Sequence, residues 1–134
     1  MSASLVEPSA EADATAKQIV DSAYRVHMTL GPGLLESVYE TCLVHELTTR
    51  AIPIARQVAV PIWYGKLILD GGLRLDLIVD KQVVVELKAV DRLLPVHQAQ
   101  MLTYLKLSGL RLGLLINFNV GRIKDGIQRF VRGA

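Results

Sequence analysis

Two carboxylates and a lysine lie near the middle of the chain with the spacing of a small reaction centre. Asp76 is followed ten positions later by Glu86, and Lys88 comes two positions after that. Carboxylate oxygens are ligands that hard divalent ions prefer, and an ammonium group stabilises negative charge in a transition state. If the three groups meet in the folded protein, they suit metal-assisted hydrolysis of a phosphodiester.

The stretch that carries them, LRLDLIVDKQVVVELKA, alternates apolar and polar residues, as half-buried strands do. We predict two strands joined by a turn at Asp80-Lys81-Gln82. One predicted face is apolar throughout: Leu73, Leu75, Leu77, Val79, Val83, Val85, Leu87 and Ala89. With a three-residue turn, Asp76 lies opposite Glu86, about 4.5–5.5 Å away at Cβ. A shift of one residue would place the two carboxylates on opposite faces.

Opposed carboxylates need compensation. At about 4 Å they repel by roughly 4 kcal/mol at an effective dielectric constant of about 20. A shared proton, a salt bridge or a cation such as Mg²⁺ or Mn²⁺ must therefore compensate this repulsion. The alternative is a solvated strand face, on which Arg74 and Lys88 form ordinary cross-strand ion pairs with the carboxylates. The hairpin alone favours this alternative, but the helices predicted on both sides of it indicate a covered polar face.

Three helices are predicted around the hairpin. Apolar residues at helical spacing predict helices over residues 13–30 and 34–50, separated by the break at Gly31-Pro32-Gly33. A third helix is predicted over residues 95–108, because Pro95 suits a first helical turn. Gly109 suits the end of that helix.

Some polar side chains of these helices are candidates for the same site. Glu36 lies at the margin of the apolar arc of the second helix, where compensation of the helix dipole and a place in a polar site explain it equally well. Gln100 and Tyr104 lie along one side of the third helix. His27 falls within an apolar arc, where a hydrogen-bonded core residue is the more usual role.

Further strands are predicted on both sides of the hairpin. Residues 57–69 suggest a strand, a turn and a second strand, and Pro61 marks the first as an edge strand or a bulged one. We predict a turn at Asp70-Gly71-Gly72. Residues 110–118 suit a strand buried on both faces, and residues 122–132 suit either a short helix or a final strand.

The composition fits one folded domain. Of 134 residues, 51% are hydrophobic and 21% are charged, which is typical of a globular chain. We expect a flexible tail over residues 1–12 and a single domain over residues 13–134. One cysteine fits a reducing cytoplasm. We recognise no signal peptide and no apolar run of about 18 residues, so no membrane association is expected.

The charge is unevenly distributed along the chain. The net charge is +2, but residues 106–134 carry six basic side chains against Asp125 alone. A basic segment suits a polyanion such as nucleic acid. A solvated surface explains the same pattern, and on charge alone it is the simpler interpretation.

The chain resembles the GxxExxY family. Residues 33–39, GLLESVY, match the signature that names the family. Other matching segments, over residues 16–130, are Val26-His27, Leu30-Gly31-Pro32-Gly33, Glu46-Leu47, Asp76, Glu86-Leu87-Lys88, Asn117-Phe118 and Asp125-Gly126. This family is grouped with the PD-(D/E)XK nuclease superfamily. The resemblance implies an α/β fold with a restriction-endonuclease-like αβββαβ core, a mixed central sheet flanked by helices, and an extra N-terminal helix.

The resemblance also implies a metal site. Asp76 and Glu86 would bind Mg²⁺ or Mn²⁺, with the backbone carbonyl of Leu87 as a further ligand. Glu36 would be the acidic residue that the early helix contributes to the metal shell. Lys88 would be the catalytic lysine.

Substrate-binding residues follow from the same resemblance. Gln100 and Tyr104 match a Q-x-x-x-Y helix motif that helps to bind substrate near the site in exonuclease-like branches of the superfamily. Arg74 and His27 are further candidates for substrate binding.

Three hypotheses about function result. The first is a cytoplasmic, metal-dependent nuclease that hydrolyses phosphodiester bonds of nucleic acid. The second is a catalytically inactive module of the same fold that binds nucleic acid or a protein partner. The third is a role in assembly, in which a homodimer or a larger protein complex supplies specificity.

Overall fold

The structure is a computed structural model that describes residues 7–133. These residues form three helices, five strands and one short 3₁₀ helix. Their bounds in chain order are α1 Ala10–Leu30, α2 Glu36–Thr49, β1 Ile54–Tyr64, β2 Leu67–Val79, β3 Val83–Lys88, α3 Pro95–Ser108, β4 Leu112–Asn117, the 3₁₀ helix Ile123–Gly126 and β5 Ile127–Val131. Residues 122–132 therefore contain both a short helix and a final strand, the two alternatives predicted for this segment.

One mixed sheet organises the described chain. Its strands lie in the order β1-β2-β3-β4-β5. Only β3 and β4 run parallel, and α3 forms the crossover that a parallel pair requires. The helices α1 and α2 cover one face of the sheet and α3 covers the other. This architecture confirms the predicted α/β fold with a mixed central sheet, flanking helices and an additional N-terminal helix.

The apolar side chains of β2 change sides at Asp76, contrary to the prediction of one continuous apolar face. Leu73 and Leu75 pack with α3, whereas Leu77 and Val79 pack with α1 and α2. The alternation breaks beside Gln57, whose φ of 48° is left-handed. This residue lies in β1 between the pairs Arg56–Leu77 and Val58–Leu75. A left-handed residue within a strand interrupts the regular extension that alternation needs.

The turn predicted at Asp70-Gly71-Gly72 is wrong, because β2 continues through these residues. The glycines instead accompany a change of register between β1 and β2, located between Val60 and Ile62. Gly71 has a φ of 65°, which suits a bulge. Pro61 lies at this bulge and in an edge strand, so both alternatives predicted for it are confirmed.

The first helix begins earlier than predicted. Ser9 caps α1, and its hydroxyl accepts a hydrogen bond from the backbone N–H of Ala12 at 3.0 Å. Residues 10–12 of the predicted tail therefore belong to the helix, and Ala12 is 4% exposed. Residues 1–6 of that tail lie outside the described residues. No helix within residues 7–133 has the length and apolarity needed to cross a membrane.

Candidate active site

The candidate site forms where β2 and β3 separate. Backbone pairing in this hairpin joins Val79 to Val83 and ends at Leu77–Val85, so the register is the predicted one. At the next position, side chains replace the ladder. Glu86 Oε2 accepts a hydrogen bond from the backbone N–H of Asp76 at 2.7 Å. Asp76 Oδ2 accepts one from the N–H of Leu87 at 2.8 Å. Two backbone donors thus hold the carboxylates beside each other.

Burial raises the pKa of both carboxyl groups of this pair. Glu86 is 7% exposed. Burial, reinforced by the charge of Asp76, raises the pKa of Glu86 to about 8. Burial also raises the pKa of Asp76, although the hydrogen bond from Leu87 opposes that shift. A bound cation would favour the ionised form of both groups.

Lys88 ends β3 beside the carboxylates. Its positive charge opposes the rise in the pKa of Glu36, Asp76 and Glu86. Within residues 7–133, its ammonium forms no ion pair and donates no hydrogen bond. The only cationic side chain at the end of β3 is therefore available to a ligand or an attacking water.

The backbone that follows Lys88 is held by Asn117. The Asn117 side chain accepts a hydrogen bond from the N–H of Val90 at 3.0 Å and donates one to the Val90 carbonyl at 2.9 Å. The carbonyl of Lys88 accepts a bond from the N–H of Phe118 at 2.9 Å. A side chain at Gly126 would collide with the carbonyl oxygen of Asn117. Asn117-Phe118 and Gly126 thus fix the chain next to the lysine.

The GxxExxY signature builds the entry of α2. The Tyr39 hydroxyl donates to the carbonyl of Gly31 at 2.6 Å and accepts from the N–H of Leu34 at 3.1 Å. Its ring stacks on Phe118, with centroids 4.6 Å apart. Tyr39 is therefore structural, and it fixes the start of the helix that begins with Glu36. Burial and then the charge of Asp76 raise the pKa of Glu36, so this side chain lies near the pair.

Glu40 is a residue of the site that the sequence analysis did not identify. It lies one turn after Glu36 and is only 9% exposed. Its carboxylate accepts hydrogen bonds from Arg56 Nη2 and Gln57 Nε2, each at 3.0 Å. Its charge contributes to the raised pKa of Asp76. The spacing from Glu36 was the available signal, since residues four apart on a helix are neighbours.

Gln57 was also missed. It lies in β1 beside Asp76 of the neighbouring strand β2. Burial dominates and raises the pKa of Asp76, and a hydrogen bond from the Gln57 side chain is among the smaller influences that lower it. Its left-handed φ of 48° gave no signal in the sequence, because glutamine rarely adopts that conformation.

The structure brings one of the two α3 candidates close to the carboxylates. Burial, and then the charges of Glu86 and Asp76, raise the pKa of Tyr104. Gln100 lies one helical turn earlier and is half-buried. Arg74 is exposed and donates from Nη1 to the carbonyl of Gln57 at 3.2 Å, which places it next to the missed residue of the site.

His27 occupies the core. It is 8% exposed, and its Nε2 donates to the carbonyl oxygen of Val120 at 2.8 Å. Within the described chain no hydrogen bond joins it to Asp76, Glu86 or Lys88. Its contacts agree with the role of a hydrogen-bonded core histidine, and its part in substrate binding stays a prediction.

Several basic residues of the C-terminal segment have partners within the protein. Arg129 pairs with Asp13 at 2.8 Å, and Arg122 with Asp125 at 3.5 Å. Arg132 donates to the carbonyl of Leu110 at 3.1 Å. The positive charge of this segment is therefore partly neutralised, which weakens the argument for a nucleic-acid track there.

The pair of carboxylates fits a metal ion only in part. Within residues 7–133, no group of three or more His, Cys, Asp or Glu side chains is arranged to hold a metal, so Glu36 does not complete a three-residue set. Asp76 and Glu86 nevertheless offer hard oxygen donors, and Glu86 Oε1 accepts no hydrogen bond from the described residues. Mg²⁺ is commonly bound by one or two carboxylates, with water and substrate oxygens completing the shell. The donor set fits that kind of site.

The mixed five-stranded sheet and its flanking helices define an α/β protein with a restriction-endonuclease-like fold. A sequence profile of the PD-(D/E)XK nuclease superfamily matches residues 13–130, and the chain belongs to that superfamily. It is similar to a solved structure described as the crystal structure of SSO0001, with a TM-score of 0.54 and 22% identity. That match covers 92% of this chain and 61% of the other, and it shows the fold alone. No curated protein matches the chain.

Proposed function

We propose that the protein is a metal-dependent nuclease of the GxxExxY group that hydrolyses phosphodiester bonds of nucleic acid. The observation that carries the proposal is the opened hairpin. Asp76 and Glu86 each use one oxygen on a backbone N–H, and Lys88 beside them has no ionic partner in the described chain. A solvated strand face would not bury Glu86 to 7% exposure, because an unpaired buried charge is costly.

The proposed roles divide between two sides of the site. Asp76 and Glu86 would hold Mg²⁺ or Mn²⁺, which supplies an activated water and stabilises charge on the phosphate. Lys88 would orient that water or hold a phosphate oxygen. Glu36, from α2, would hold water molecules of the metal shell, since no three-residue set exists within residues 7–133.

The substrate would enter along α3. Tyr104 is close enough to Glu86 for their charges to interact, and Gln100 lies one turn away on the same helix. Arg74 is exposed beside Gln57 and would contact a phosphate. These three side chains would position nucleic acid without a strong demand on base sequence, because phosphate contacts set register and carry no base information.

The second candidate function is a nucleic-acid-binding module without catalysis. The absence of a three-residue metal group within residues 7–133 favours it. Both candidates share the fold, so metal binding and turnover separate them.

A metal titration tests the proposal. We expect isothermal calorimetry to show Mn²⁺ binding to the wild type and its loss in Asp76→Ala. Asp70→Ala is the matched control, because Asp70 is an exposed aspartate of the same strand and should leave binding unchanged.

A cleavage assay completes that test. With Mn²⁺, we expect the wild type to cut at least one of single-stranded or double-stranded DNA or RNA, and Asp76→Ala to cut none. Heat of binding without cleavage of any of these substrates would favour the inactive module, and equal cleavage by Asp76→Ala would refute the proposed site.

A further inference from the structure

The outer end of the β1–β2 hairpin is an apolar arm, residues 63–69. Its large side chains are exposed in the described structure. Trp63, Tyr64, Leu67, Ile68 and Leu69 are 65%, 74%, 56%, 44% and 45% exposed. Trp63 is paired across the hairpin with Ile68, and Tyr64 with Leu67. Because successive residues of a strand point to opposite faces, these two pairs make both faces of the arm apolar.

This much exposed apolar surface is unusual for a ribbon of two strands. A hairpin of two strands is marginal in water unless it packs against something else. Aromatic side chains such as Trp63 and Tyr64 bury about 150–250 Å² each, so with the three aliphatic side chains the half-exposed arm presents on the order of 500 Å² over its two faces. That lies near the upper limit for the largest apolar patch of a monomeric protein, about 300–600 Å².

We propose that the arm is a self-association surface on which the arm of a second copy of this chain packs. Apart from Lys66, the arm has no charged residue. A polyanion would need a basic surface, and an acidic or basic protein partner would need a complementary charge. A neutral apolar face is complementary to itself, as a twofold interface requires.

The area agrees with a pair of arms. A stable complex buries about 800 Å² on each partner. The two faces of the arm together present about 500 Å², and the outer edge of β1, which pairs with no strand of the described chain and adjoins the arm, would supply the rest. Pro61 lies in that edge and hinders a continuous strand-to-strand ladder. Packing of side chains, in which both the Trp63–Ile68 face and the Tyr64–Leu67 face of each arm contact the other copy, therefore explains the arm better than a joined sheet.

The inference is independent of the proposed nuclease function, since it concerns a surface and not the carboxylates. The two are nevertheless connected through β2, which runs without interruption from Leu67 to Val79 and includes Asp76. A partner that orders the arm would also hold the outer half of the strand that carries this aspartate.

Trp63 is the only tryptophan of the chain, so its fluorescence reports on the arm directly. We expect light scattering after size-exclusion chromatography to give the mass of a dimer at high concentration. On dilution to monomer, the emission maximum should move to longer wavelength and quenching by acrylamide should increase. A monomer at every concentration, with Trp63 fully open to the quencher, overturns the proposal.

Two variants locate the contact while keeping the reporter. Ile68→Ser and Leu67→Ser each remove one apolar side chain from a different face of the arm. At least one should raise the dimer dissociation constant by about tenfold or more, as truncation of a central interface residue does. Met28→Ser is the control, because Met28 is an 81% exposed apolar residue of α1 and should leave the constant unchanged.

Circular dichroism of the variants checks that the fold persists. A dimer that both arm variants leave intact overturns the proposal. So does a monomeric wild type whose Trp63 emission responds only to an added oligonucleotide, since that result would assign the arm to nucleic acid.

Discussion

In the described chain, the sheet face under α1 and α2 buries eighteen apolar residues in one cluster, whereas the face under α3 buries six. The larger cluster includes the stacked rings of Tyr39 and Phe118. The smaller one lies next to Glu86, which shares a face of β3 with Val84 and whose charge raises the pKa of Tyr104 of α3. The apolar core is therefore concentrated on the face under α1 and α2, whereas Glu86 and Tyr104 lie on the face under α3.

This difference explains how the chain tolerates a buried carboxylate pair. Glu86 lies on the face under α3 and Asp76 lies where β2 changes sides, so the large cluster under α1 and α2 contains neither carboxylate. The side change of β2 at Asp76 produces this arrangement, because it sends Leu77 and Val79 to the large cluster just beyond the site. Variants on the two faces should therefore separate activity from stability.

The largest expected effect is on catalysis alone. Lys88→Ala should lower the rate of cleavage by about 10³-fold or more, because removal of one group that stabilises transition-state charge costs about 10²–10³ and Lys88 is also proposed to orient the water. The free energy of unfolding should change far less than the rate, since Lys88 forms no ion pair in residues 7–133 and acts on the carboxylates only through its charge. Single-turnover cleavage and urea denaturation measure the two quantities.

Lys106→Ala is the control for that experiment, since Lys106 is an exposed lysine of α3. It should leave both the rate and the stability unchanged. A Lys88→Ala variant that unfolds more readily than Lys106→Ala would show that the face under α3 also contributes to stability. That result would contradict the proposed difference between the two faces.

The second effect compares the two faces by the same substitution. Leu43 of α2 and Leu105 of α3 are both fully buried. Leucine-to-alanine changes in cores cost about 2–5 kcal/mol, with the larger values where neighbours cannot relax. We expect about 4 kcal/mol for Leu43→Ala and about 2 kcal/mol for Leu105→Ala, measured by urea denaturation in the absence of metal. Equal costs would contradict the difference between the faces.

The third effect is the pH dependence that Glu86 imposes. Its pKa in the folded protein is about 8, above the ordinary value of 4.5, so between these values the folded state binds more protons than the unfolded state. Stability should therefore fall as pH rises from about 5 to about 8, and level off above that. Glu86→Gln should remove this part of the slope and raise the free energy of unfolding by about 2–4 kcal/mol at pH 8.

Bound metal ions should oppose the loss of stability that occurs as pH rises. Saturating Mn²⁺ needs the ionised carboxylate, so it should stabilise the wild type more at pH 8 than at pH 6 and should not stabilise Glu86→Gln to the same extent. Chemical denaturation at both pH values, with and without Mn²⁺, checks this. A wild type and a Glu86→Gln variant with parallel pH profiles would show that Glu86 is not the group responsible.

The sequence predicted the parts of the fold that depend on local pattern. Alternation and the Asp80-Lys81-Gln82 turn predicted the hairpin register, helical spacing predicted α1 and α2, and Pro95 and Gly109 predicted the bounds of α3. The errors lie where the backbone leaves the regular pattern. Gly71 was interpreted as a turn because a bulge within a long strand has the same residue preference. The side change at Asp76 depends on Gln57, whose conformation no propensity predicts.

The candidate site shows the same limit. Asp76, Glu86 and Lys88 were found because one hairpin brings them together, and Glu36 through the signature. Glu40 was missed because its position falls just outside the margin of the apolar arc of α2. Its burial arises from Arg56 and Gln57, which the edge strand β1 brings over the helix. Contacts between elements distant in sequence are not encoded in the periodicity of either element.

The smallest expected effect concerns Gln57, the residue at which the two faces exchange. Its left-handed backbone costs of order 1 kcal/mol, and glycine would relieve that strain while alanine would keep it. Both variants lose the hydrogen bond to Glu40. We therefore expect Gln57→Gly to be more stable than Gln57→Ala by roughly 1 kcal/mol, with Mn²⁺ affinity reduced equally, by less than about tenfold, in the two. Urea denaturation and calorimetry measure both differences. If the glycine variant were the less stable of the two, the left-handed conformation would not be a strain on the fold, and the side change of β2 would need another cause.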